Sequence, residues 1–114
     1  MSTKLTQNEL DLLREIFSDL INYDSEDPTE PIDPLTWHEA DGDTCLHYAA
    51  CRGSLRAVEL LLKAGLNVDQ PGDMGCTPLH YAKLYKHDEV AKLLLQYGAS
   101  DKIRNEFGKL PSEM

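Results

Sequence analysis

The chain has 114 residues, 41% hydrophobic and 27% charged, a composition that suits one soluble globular domain and excludes global disorder. Its net charge of −9 is uneven: residues 1–44 hold 12 acids against Lys4 and Arg14, whereas residues 45–114 hold 8 acids against 9 bases. Such a field repels nucleic acid and anionic membranes, and it selects a basic protein surface as the natural counterpart.

No apolar run approaches the roughly 18–20 residues that span a bilayer. The start, MSTKLTQNEL, lacks the apolar stretch of a secretory signal, so a cytoplasmic protein is expected. Residues 5–21, LTQNELDLLREIFSDLI, set Leu10, Leu13, Ile16, Phe17, Leu20 and Ile21 at helical spacing, with Thr6 and Glu9 as a capping-box signature. This helix reads as a cap over the apolar end of the C-terminal two-thirds of the chain; the competing reading is a partner-binding or dimerising amphipathic helix. The next stretch, YDSEDPTEPIDP at 23–34, has three prolines and five acids. It reads as a solvated, extended loop, and the functional alternative is an acidic arm for a basic partner. Trp37, the only tryptophan, is expected to pack this loop onto the core.

From here the chain repeats itself. An offset of 33 residues aligns Gly42 with Gly75, Thr44 with Thr77, and Leu46-His47-Tyr48-Ala49 with Leu79-His80-Tyr81-Ala82. It also aligns Leu60-Leu61-Leu62 with Leu93-Leu94-Leu95 and Gly65 with Gly98; a further step brings Gly108 and Pro111 into register. Each unit predicts two helices. Thr77 is a good N-cap and Pro78 suits the first helical position. The first short helix of the leading copy ends near Gly53. Ser54 can cap a second helix whose buried face is Leu55, Val58, Leu61 and Leu62, ending at Gly65. The later copy repeats this with Val90, Leu93 and Leu94, ending at Gly98. The connection NVDQPGDMG is rich in turn formers and predicts an extended loop or hairpin.

The 33-residue period, with TPLHYA at 77–82, LLKAGLNVD at 61–69 and LLQYGASDK at 94–102, resembles the ankyrin repeat family over residues 39–114. The resemblance implies an all-α solenoid of stacked helix-turn-helix units with hairpin loops projecting to one side. The units fall at 39–71, 72–104 and a partial 105–114, after a capping helix and acidic, proline-containing loop at 1–38. It also implies that Thr44 with His47, and Thr77 with His80, hydrogen-bond and tie units together, and that His87 is a family position. Departures are Cys45 where the pattern has proline, Lys83 for an alanine, and Lys86 for the glycine before His87. The third copy has Leu110 for threonine and Ser112-Glu113-Met114 for Leu-His-x, so it reads as a hairpin with one helical turn that caps the stack. Tyr48 and Tyr81 read as half-buried packing residues.

The residues offer no catalytic constellation. Phosphate loops, nucleophile elbows and metal-ligand pairs are absent. Cys45, Cys51 and Cys76 are odd in number without C-x-x-C spacing and read as reduced thiols; Cys45 beside His47 lacks a second ligand pair for zinc. A His38–Asp41 dyad is the weak enzymatic alternative, and the acidic stretch lacks the glycine turn of a calcium loop. No catalytic residue, cofactor or metal is expected.

The resemblance implies partner contacts at the variable hairpin and inner-helix positions. These are Ala40, Asp41 and Asp43, then Asp73, Met74 and Cys76, then Glu106, Phe107 and Lys109, with Cys51 and Arg52 and then Leu84 and Tyr85 on the helices. Met74, Leu84, Tyr85 and Phe107 would form an apolar, aromatic strip rimmed by Asp41, Asp43 and Asp73. The expected function is therefore a non-enzymatic protein-interaction module, in its sharpest form a dedicated inhibitor of a basic protein, of the immunity or antitoxin kind. The alternative is an adaptor, a regulatory subunit or a fragment of a longer array. A monomer is expected, with a dimer as the alternative.

Overall fold

Thr6 opens the first helix through a capping box: its hydroxyl accepts the Glu9 N–H at 3.2 Å while the Glu9 carboxylate accepts the Thr6 N–H at 3.0 Å. The computed structural model describes residues 4–23, 25–27 and 29–114, so Asp24 and Pro28 of the acidic stretch lie outside the described residues. Among the described residues there are five α-helices in chain order: α1 (Gln7–Ile16), α2 (Cys45–Arg52), α3 (Leu55–Lys63), α4 (Pro78–Leu84) and α5 (Asp88–Gln96). Two single 3₁₀ turns, Asp73–Gly75 and Pro111–Glu113, complete the set, and no strand forms among the described residues. None of these helices is long and apolar enough to cross a membrane.

The helices stack as two antiparallel pairs. Within the units α2 packs on α3 and α4 on α5; between them α2 packs on α4 and α3 on α5. α1 lies against α3 at one end, and the Pro111–Glu113 turn lies against α4 at the other. The core runs continuously from Leu13 and Phe17 through Leu46, Leu60 and Leu61 to Leu79, Val90 and Leu94. Before, between and after the pairs, three hairpins repeat one hydrogen-bond scheme. Glu39, Gly72 and Asn105 N–H groups donate to Asp43, Cys76 and Lys109 carbonyls at 2.8, 2.8 and 2.9 Å.

Three local expectations need correction. The first helix does not run through residue 21: it ends at Ile16, capped by the Phe17 N–H on the Leu13 carbonyl at 3.0 Å. Leu20 then packs only partly against the core and Ile21 is exposed, while Asp19 of the turn after Phe17 pairs with Arg52 of α2 at 2.7 Å. Ser54 occupies the N-cap of α3, yet its hydroxyl makes no capping bond. Leu55 is exposed, since the buried stripe of α3 is centred on Ala57, Leu60 and Leu61 and leaves Leu55 at its edge.

Gly53 shows how tightly the units fit. It closes α2 in the left-handed region at φ 73°, and a Cβ there would stand 2.6 Å from the His87 ring. That ring is anchored in turn, its Nε2 lying 3.0 Å from the Cys51 carbonyl.

Candidate protein-binding surface

The repeated Thr-x-x-His pairs form a ladder that holds the surface in place. The Thr44 N–H donates to His47 Nδ1 at 2.9 Å, so the proton sits on Nε2, which donates to the carbonyls of Gln70 at 2.8 Å and Cys76 at 3.1 Å. In the next unit the Thr77 N–H donates to His80 Nδ1 at 3.0 Å, and His80 Nε2 donates to the Lys109 carbonyl at 3.0 Å. Each imidazole thus reads its own helix start and the following hairpin. Burial holds the His47 imidazole below its ordinary value. The third copy contains a substitute that motif reading missed: Glu113 Oε1 accepts the Leu110 N–H at 2.7 Å, as the histidines accept from threonine.

The candidate partner residues separate into two groups. Asp43 is half-buried and turned inward, accepting the Asp73 N–H at 2.8 Å and the Tyr81 hydroxyl at 3.0 and 3.2 Å. Tyr48, the counterpart of Tyr81, donates instead to Glu39 at 2.7 Å, because the position equivalent to Glu39 in the second unit is Gly72. Burial, reinforced by these carboxylates, pushes both phenols up, so they stay protonated donors. Arg52 is also engaged: its guanidinium pairs with Asp19 at 2.7 Å and lies over the rings of Phe17 (5.8 Å) and Tyr48 (5.3 Å). The side-chain hydrogen bond from Arg52 holds the Asp19 carboxyl below its usual range. Asp41 is exposed and accepts the Asp43 N–H at 3.0 Å; Asp73 is half-buried.

The apolar candidates are open. Met74 (49%), Leu84 (42%), Tyr85 (51%) and Phe107 (68%) retain large solvent exposure. Leu84 and Tyr85 follow Tyr81 by three and four residues, so all three share one face of the α4 end. The tips of the second and third hairpins are joined by the Glu106 N–H on the Met74 carbonyl at 2.9 Å. Met74 adopts φ 57°, a left-handed conformation uncommon for a methionine, with Gly75 beside it at φ 71°. The acidic rim is thinner than the sequence implies, since Asp43 is turned inward and Lys83 and Lys86 flank the Leu84–Tyr85 pair.

Other candidates are absorbed by the fold. Trp37 is buried, donates its indole N–H to the Ile21 carbonyl at 2.8 Å and packs on Tyr48 at 5.6 Å. Cys45 is fully buried, with its thiol pushed up to about 12 by burial, and Cys76 is buried beside the Asn105 amide at 3.6 Å. Among the described residues no group of three or more His, Cys, Asp or Glu could hold a metal ion. His38 Nδ1 lies 3.0 Å from the Glu39 carbonyl.

Comparison with known proteins agrees with this architecture. The family model "Ankyrin repeats (3 copies)" matches residues 6–105, reaching back over α1. The chain is 35% identical over 86 residues to human protein phosphatase 1 regulatory subunit 27, covering 75% of this chain and 55% of that protein. It is 32% identical over 92 residues to mouse RelA-associated inhibitor, covering 81% of this chain and 10% of that protein. It is also 32% identical over 79 residues to the potassium channel AKT1 of Oryza sativa subsp. indica, covering 69% of this chain and 8% of that protein. The chain therefore spans about half of the phosphatase subunit and a small part of the other two. With its period, its histidine ladder and this match over most of its length, the chain belongs to the ankyrin repeat family and is a protein-interaction module.

Proposed function

We propose that this chain is a non-enzymatic, cytoplasmic regulatory module that binds and restrains a partner protein with a basic surface. The solvent exposure of Met74, Leu84, Tyr85 and Phe107 is the observation that carries the reading. Large apolar side chains at hairpin tips and a helix end, used together as one strip, are the kind of surface that anchors an interface. The acidic field of residues 1–44 steers a basic partner and speeds its association, while the strip sets how long the complex lasts. Asp43 and Arg52, which serve the fold, drop out of the contact set; Asp41 and Asp73 stay as its rim.

Installing a photo-crosslinking p-benzoylphenylalanine at Tyr85 tests this in cells. Captured proteins are expected to have basic isoelectric points, and association with them to slow as salt rises. Capture of only neutral or acidic proteins, or association indifferent to salt, overturns the basic-partner reading. A second reading, a phosphatase regulatory subunit, is favoured by the relationship to protein phosphatase 1 regulatory subunit 27. Mixing the chain with the catalytic subunit of protein phosphatase 1 and measuring binding by calorimetry separates the two.

A further inference from the structure

Away from the hairpin tips, the loop at residues 33–38 faces the end of α3 and the segment after it across an open groove of about 810 Å³. Leu35 and Trp37 supply apolar surface on one side, Ala64 and Leu66 on the other. A Cβ added at Gly65 would meet nothing within 4 Å, so that wall leaves room. A smaller hollow of about 370 Å³ adjoins it and shares Asp33, Thr36, Trp37 and His38 with it. The volume lies within the usual range for a pocket that takes a ligand.

Both hollows have the same electrostatic character. Among the described residues no lysine or arginine lines either one, and Asp33 lines both. Asp33 Oδ1 accepts the Leu35 N–H at 3.0 Å, while among the described residues Asp33 forms no ion pair and its second oxygen has no donor. The smaller hollow also includes Tyr23, whose hydroxyl donates to Glu39 at 3.4 Å. The charge of Glu39 pushes that phenol up, a sign of negative potential at this spot. The shared wall is stiff: the Asp33 carbonyl accepts from the Thr36 and Trp37 N–H groups at 3.2 and 2.9 Å, and the indole is tied to Ile21 at 2.8 Å. A preformed wall spares a ligand the ordering that a flexible loop would demand.

We propose that this groove binds an extended peptide segment of a partner protein, with an apolar side chain in the larger hollow and a lysine or arginine two residues away against Asp33. An extended chain sets alternate side chains about 7 Å apart on one side, which suits two hollows divided by one shared wall. Charge complementarity selects the basic residue, because the described groove offers a carboxylate without an ion pair and no cation. The site lies apart from the Leu84–Tyr85 strip, so it stands or falls independently of the interface assigned there.

The test uses the whole chain and an acetylated, amidated alanine-based heptapeptide with arginine and leucine two positions apart, followed by amide NMR shifts. Saturable shifts are expected at the Trp37 indole and through residues 33–38 and 64–70, with none from the same peptide carrying glutamate for arginine. Asp33→Asn keeps an acceptor for the Leu35 N–H and is expected to weaken binding about tenfold. Equal binding of the acidic peptide, undiminished binding to Asp33→Asn, or shifts centred on Leu84 and Tyr85 would each overturn the proposal. A Tyr85 crosslink to a basic protein would be unaffected by any of these outcomes.

Discussion

At the end of α2, Arg52 lies against the rings of Phe17 and Tyr48 and pairs with Asp19 at 2.7 Å. At the equivalent position one repeat later, just past the end of α4, Tyr85 stands 51% exposed with no side-chain partner among the described residues. Gly53 and Lys86 form a second contrast. Gly53 has the His87 ring over it, whereas Lys86 takes φ 61° in the equivalent place. Two units of one pattern thus differ in what their neighbours demand. The first is recruited into the fold from both sides; the second leaves Leu84 and Tyr85 exposed.

The sharpest way to break this contrast is to strip the cover from the first unit. Phe17→Ala removes a fully buried ring from the α1 end and is expected to lower stability by about 3–5 kcal/mol, read as a fall in the thermal midpoint. Next comes the ladder. His47→Ala is expected to cost about 2–4 kcal/mol in denaturant unfolding, since it leaves a cavity and takes the donor from two carbonyls.

The ladder also predicts a pH dependence. Only the neutral His47 ring can accept from Thr44, and burial depresses its folded value below the ordinary 6.5. Its stabilising share is complete above that pH and is lost as pH falls through the lower, folded value. Melts between pH 7.5 and 5 are expected to show the decline, and His47→Ala to flatten it.

Smaller changes sharpen the contrast. Lys86→Gly relieves a left-handed lysine and is expected to stabilise by about 0.5–1 kcal/mol, whereas Gly53→Lys must displace the His87 ring and destabilise. Tyr85→Ala is expected to change stability by no more than about 0.5 kcal/mol while removing partner capture. A large loss of stability in Tyr85→Ala would show that the second unit uses that position for folding after all.

How far the sequence reaches depends on the distances involved. The period, the Thr-x-x-His ties and the glycine helix ends are local patterns, and all appear in the structure. Residue type alone does not separate Asp43 and Arg52 from Asp41 and Tyr85, because their engagement depends on partners 30–38 and 33 residues away. Leu55 falls outside the buried face for a related reason: apolar spacing marks a stripe, but only the neighbouring helix fixes where its edge falls. The 33–38 groove has no signature either, since it arises from two loops brought together by the stack.

One substitution changes the meaning of the third unit. His47 and His80 are bifunctional monomers, accepting at Nδ1 and donating at Nε2, so each link in the ladder generates the next. Glu113 keeps the accepting half and, as a carboxylate, has no proton to pass on. In the language of polymers it is a chain terminator: the relay of hydrogen bonds through the hairpins ends there on chemical grounds, and any structure docked beyond it would need a different joint.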